Sequence, residues 1–152
     1  MKRIAFLAFV LFTVLIFSSC SKDEGGSSKA TKDIVGLWIE TEDYYDDELH
    51  ISKGDDFGWF VEFKSDNTVI EREAIHGCSF SNGYVSGVKY DELEYDSLTL
   101  RYEIINGDLF VAGEKYGKVV FLNKDKMRLE WAEDSWTDPG EYTIFERVKG
   151  FK

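Results

Sequence analysis

The stretch "HGCSF" sets His76 two residues before Cys78. On a strand, residues two apart share a face, so an imidazole base beside a thiol nucleophile is conceivable chemistry. A lone cysteine more commonly serves as a small hydrophobe within a core. Oxygen-rich chemistry has two candidates. "ETEDYYDDELH" holds Glu40, Glu42, Asp43, Asp46, Asp47 and Glu48, and "KYDELEYDS" holds Asp91, Glu92, Glu94 and Asp96. Calcium takes roughly six to eight oxygens, arranged around a turn glycine and a final bidentate glutamate in the familiar calcium loop. Neither stretch has that layout, so both are expected to be solvated surface loops. His50 and His76 have no neighbour at a zinc-site spacing. There is no P-loop and no Gly-rich turn for a dinucleotide. With this many carboxylates a pair of glycosidase type arises by chance. No metal, no cofactor and no catalysis are therefore expected.

The aromatic residues are the better candidates for binding. Trp136, in "EDSWTDPGE", and Tyr44 and Tyr45, in the acidic first stretch, sit in polar, loop-like surroundings. An exposed ring beside acids can stack on a sugar or cover an apolar ligand, and loops carry binding more often than walls do. Capping of a barrel end is the plainer alternative. Trp59, Tyr102 and Trp131 fall on the apolar phase of alternating segments. Such residues either fill an interior or line a cup within it.

These residues need a scaffold, and the sequence spells one out by period two. In "FGWFVEFK", Phe57, Trp59, Val61 and Phe63 take one face, and Glu62 and Lys64 take the other. "LTLRYEII" and "MRLEWA" repeat the alternation through Leu98, Leu100, Tyr102 and Ile104, then Met127, Leu129 and Trp131. Aromatic residues make up 16% and there is one proline, which favours strands over helices throughout. Asp66-Asn67 and Asn106-Gly107 supply turns, the second suited to a type I′ hairpin. Strands are expected near 34–41, 57–64, 68–75, 78–89, 98–105, 108–113, 117–122, 127–132 and 141–148. Gly83 and Gly87 either split the segment 78–89 or turn it into loop. So many successive antiparallel strands leave unpaired edges unless they close. The expected fold is all-β, an antiparallel up-and-down barrel of about eight strands.

"IVGLWIE" adds a family. Gly36-Leu37-Trp38 resembles the G-x-W signature that opens the first barrel strand of lipocalins. The resemblance runs from Ile34 to Val148, through "FVEFKSDNTV" and "LTLRYEIINGDLFV" to "YTIFERV", and is similar to the lipocalin-like domains of secreted Bacteroidetes lipoproteins. It implies that Trp38 packs at the closed end of the barrel against Arg147, both as elements of the fold. The chain departs from the family in lacking its second and third motifs and a clear helix after the last strand.

The N-terminus supplies an address. Lys2 and Arg3 precede a run from Ile4 to Phe17 in which Thr13 is the lone polar residue. That is the layout of a secretory signal, and the run is too short for a spanning helix, which needs roughly 20 apolar residues. Ser18-Ser19-Cys20 resembles the lipobox of bacterial lipoproteins, with Phe17 where that motif usually has leucine. The resemblance implies removal of residues 1–19, acylation of Cys20 and attachment to a membrane through lipid. An ordinary signal peptide with a chance cysteine is the alternative. Residues 20–33 then read as lipidated Cys20 and a flexible tether, with 34–152 as the barrel domain. Lys22-Asp23-Glu24 either resembles the surface-export signal of Bacteroidetes lipoproteins or is a charged linker. With Cys20 acylated, Cys78 is the one remaining thiol and no disulfide forms.

The net charge of −11, two units more negative once Lys2 and Arg3 are lost, excludes nucleic acid as a partner. These features lead to the expectation of an outer-membrane or surface lipoprotein, its oligomeric state left open with a monomer favoured, whose barrel binds a small apolar or glycan ligand. The alternative is an interaction module with a filled barrel that binds another envelope protein or a host protein.

Overall fold

Alternation in the sequence becomes strand after strand in the computed structural model, which describes residues 27–45, 48–51, 58–95, 98–132 and 140–152. One helix, α1 (Ser27–Ile34), precedes β1 (Gly36–Tyr45), β2 (Glu48–Ile51), β3 (Gly58–Phe63) and β4 (Thr68–Ala74). The short elements β5 (Ser79–Ser81), β6 (Tyr84–Ser86) and β7 (Glu94–Tyr95) follow. Then come β8 (Leu100–Ile105), β9 (Asp108–Val111), β10 (Glu114–Asn123), β11 (Lys126–Trp131), β12 (Tyr142–Arg147) and β13 (Gly150–Phe151).

Eight strands close on themselves in the order β1-β3-β4-β8-β9-β10-β11-β12, with β12 pairing back onto β1 and every neighbour antiparallel. This is the all-β, lipocalin-like barrel expected from the sequence. Closure removes the edges that an open sheet would expose. The hairpin β8–β9 turns on Asn106 and Gly107, both at positive φ (54° and 92°), as the Asn-Gly pair predicts. The segment 78–89 is split at Asn82-Gly83 into β5 and β6.

One end of the barrel is sealed. Trp38 is 0% exposed, its indole N–H donates to the Ile34 carbonyl at 2.7 Å, and the Arg147 guanidinium lies 4.2 Å above its ring. Arg147 also donates to the carbonyls of Val35, Asp33 and Lys124. The glycine of "GLW" has a steric reason: a Cβ on Gly36 would lie 2.6 Å from Arg147 Nη1. α1 packs against β8 and contributes fully buried Ile34 to the interior. The glycines and serines of the tether argue for coil, yet Ser27–Ile34 is helical. The residues after Ser28, "KATKDI", include good helix formers, and burial of Ile34 adds what propensity lacks. β1 correspondingly starts at Gly36 and runs further than expected, to Tyr45.

A second apolar cluster lies outside the barrel wall. Phe60, Ile39, Ala74, Val85 and Leu93 are buried there, under a small sheet of β5, β6 and β13. β13 pairs with β6 in parallel, so the C-terminal residues hold the segment between β4 and β8 against the barrel. Cys78 packs in this cluster with its thiol pKa raised by burial, the opposite of what a nucleophile requires. His76 is exposed, and no hydrogen bond joins the two among the described residues.

Candidate functional site

The interior stays filled from the sealed end to mid-barrel. Tyr102 is 2% exposed, meets Phe63 edge-to-face at 5.0 Å between centroids and donates to the Lys64 carbonyl. Filling stops at the opposite end, where β3 begins and β11 ends. A cavity of about 100 Å³ lies there, floored by Leu109, Met127 and Phe145 and walled by Trp59, Trp131 and Tyr116.

An imperfection in the wall opens this cavity. β4 pairs with β8 through only two residue pairs, Thr68↔Arg101 and Val69↔Leu100. Its far half pairs instead with β7, as Arg72↔Tyr95 and Glu73↔Glu94. The chain between these partners includes Leu98, which borders the cavity and is 60% exposed. Outside lies a second hollow of about 320 Å³, bordered by Arg72, Glu73, Glu94 and Tyr95, that shares Trp59 and Glu71 with the cavity.

The walls are held by specific contacts. Trp59 and Trp131 stack at 6.1 Å with planes 16° apart, and Tyr116 meets Trp131 edge-on at 5.2 Å. The Trp131 indole N–H donates to Thr143 Oγ1 at 2.9 Å, and that hydroxyl donates to Asp43 Oδ1 at 2.6 Å. Asp43 is 8% exposed, and this bond compensates its burial. Tyr116 donates to Glu71 Oε1 at 3.0 Å; burial first, then the Glu71 charge, raises its phenol pKa well above the ordinary value. Register places Glu40 opposite Phe145 on the interior phase, where burial and the nearby Asp43 push its carboxyl up to about 7.

The residues singled out in the sequence are distributed unevenly. Trp59 and Trp131 line the cavity. Tyr102 lies among the filled residues and is not part of the lining. Tyr44 stands at the same end of the barrel, stacked on Tyr142 at 4.6 Å and donating to Glu42 at 2.7 Å. Tyr45 closes β1 in register with Glu48. Trp136 and Cys20 lie outside the described residues. The sequence reading missed Tyr116 and Glu71. β10 starts three residues before the expected strand, which hid Tyr116. Glu71 announces itself as an acid on the apolar phase of "TVIEREA". Of the two acidic stretches, Glu42 pairs with Lys126 and Glu92 caps the backbone at Lys89, and no three possible metal ligands converge among the described residues.

Comparison with known proteins adds nothing to this geometry: no family model, no curated protein and no solved structure matches the chain.

Proposed function

We propose that this is a lipid-anchored envelope protein of the lipocalin-like lipoprotein type whose barrel binds a small, largely apolar ligand at its open end and performs no chemistry on it. The observation that carries the reading is the cavity between Trp59, Trp131 and Tyr116, left unfilled in an otherwise packed interior and reached through the short β4–β8 ladder. Its lining favours an apolar ligand over a glycan: apart from Glu71, Tyr116 and the indole N–H of Trp59 and Trp131, the last already bonded to Thr143, the lining is apolar. The anchor rests on Lys2-Arg3, the apolar run and Cys20. Two or more acyl chains would hold such a chain firmly, where one holds only marginally.

Native mass spectrometry on the full chain isolated from its own cells tests the ligand. A reproducible extra mass released on unfolding supports the reading, and a Leu100→Phe variant, which fills the cavity, should lose it. A bare mass in both proteins overturns it. For the anchor, a Cys20→Ala variant should leave the membrane fraction; retention at the parental level sinks the claim.

Size favours a second reading. At about 100 Å³ the cavity is smaller than the roughly 300–1,000 Å³ of sites that enclose whole drug-sized ligands. A barrel that is mostly filled suits an interaction module, with exposed Tyr95 and Leu98 available to a protein partner. Crosslinking on intact cells, with Tyr95→Ser and Leu98→Ser as controls, separates the two.

A further inference from the structure

The mouth of the cavity has a charge pattern that its apolar floor does not require. Along β4 the inner phase runs Val69, Glu71, Glu73, so one face of one strand passes from an apolar floor to an acidic rim. Residues two apart on a strand are separated by roughly 6.6 Å, so the two carboxylates form a short ladder rather than one point. Glu73 stands opposite Trp59 on one side and opposite Glu94 on the other. Like charges directly opposite one another on antiparallel strands destabilise the pair. Neither Glu73 nor Glu94 has an ion pair among the described residues. Arg72 is the one cation bordering this hollow among the described residues, and it is occupied: Nε and Nη2 engage Glu62 at 2.8 Å, and Nη2 also reaches the Tyr90 hydroxyl.

We infer that this mouth recognises an organic cation, an ammonium group carried on a small apolar body. The inference rests on the ligand-binding reading and names the class of ligand. The apolar body would occupy the cavity, and the ammonium would lie between Glu73, Glu94 and the Trp59 ring. Carboxylates answer its charge there, and an indole face attracts cations through its quadrupole. Tyr95, 66% exposed at the same rim, already has the Arg72 guanidinium 5.5 Å from its ring, so the Trp59 face is the one open to the ammonium. A net charge of −11 steers cations toward the molecule and anions away from it. A carboxylate-headed ligand, such as a fatty acid, would meet the acidic ladder head-on, and a neutral one would leave the Glu73–Glu94 repulsion in place.

Three probes that differ only in headgroup charge test this on the purified full-length chain, read by indole fluorescence. Phenethylammonium should bind roughly tenfold more tightly than 2-phenylethanol, and 3-phenylpropionate more weakly than either. Raising the salt concentration should weaken the ammonium and leave the alcohol unchanged. In the Glu73→Gln/Glu94→Gln double variant the ammonium should lose its advantage while the alcohol binds as before. Both positions are exposed, and relief of the repulsion should leave the thermal midpoint equal to or above the parent's, which verifies folding independently. Equal binding of ammonium and alcohol to the parent, or an advantage undiminished in the double variant, in which Glu71 remains, overturns the cation inference and leaves an apolar site standing. Binding of none of the three overturns both.

Discussion

The two ends of this barrel are built from the same kinds of residue and reach opposite outcomes. At the sealed end an indole, a guanidinium and a helix terminus satisfy one another: Trp38 bonds Ile34 and is 0% exposed, and Arg147 bonds three carbonyls. At the open end two indoles, a phenol and several carboxylates leave a cavity of about 100 Å³, a carboxyl with its pKa near 7 and an acid pair with no counterion among the described residues. Composition is therefore not what distinguishes a structural tryptophan from a binding one. The difference is whether space remains against the ring: the Trp131 N–H is bonded and its face is stacked, yet the ring still borders the cavity.

The largest expected effect comes from treating the two ends alike. Trp38→Ala should destabilise by about 3–5 kcal/mol, since it empties a fully buried site, whereas Trp131→Ala should cost only roughly 1–2 kcal/mol, because that ring is only partly buried and borders existing space. Denaturant melts of both variants measure the gap, and equal losses would erase the distinction between the ends. Arg147→Met comes next. It deprives three carbonyls of a charged donor, for about 2 kcal/mol, and Gly36→Ala should produce part of that loss by displacing the same guanidinium.

A pH series sharpens the contrast from the open end. Glu40 titrates at about 7 in the folded chain against an ordinary 4.5. The folded state therefore holds a proton that the unfolded state has lost between those values, and stability falls as pH rises from about 4.5 through 7. Glu40→Gln should remove that decline, gaining about 1–2 kcal/mol at pH 8 after allowance for solvent screening, with little change at pH 5. Thermal midpoints across this range decide it; a parental slope in the variant would assign the titration elsewhere. Thr143→Val takes the donor from the buried Asp43 carboxylate and should cost about 2 kcal/mol. It unhooks Trp131 from Asp43, so a shift in indole emission should accompany the loss.

Much of this was legible in the sequence, and unevenly. Period-two alternation located the barrel strands because each wall residue faces either core or solvent, and Asn106-Gly107 fixed its hairpin through backbone chemistry alone. "GLW" and Arg147 pointed to the sealed end correctly. The outer cluster was not legible: "WFVEF" is apolar on both phases at Phe60, the sign of a strand covered on both faces, but what covers it comes from residues 79–86 and 150–151, distant in the chain. The cavity was equally hidden, because it depends on where β4 changes partner, a matter of register that no local pattern encodes. Trp59 and Tyr102 share the same apolar phase, yet only the depth along the barrel separates a lining residue from a filler.

The pairing of β1 with β12 also governs when this protein can exist. A chain that emerges N-terminus first, from a ribosome or through any narrow pore, presents β1 with one ladder unmade until Tyr142–Arg147 arrives more than a hundred residues later. Trp38 waits for Arg147 over the same interval. Until β12 emerges a partial barrel lacks this ladder, so closure rests on contacts that are among the most distant along the described chain.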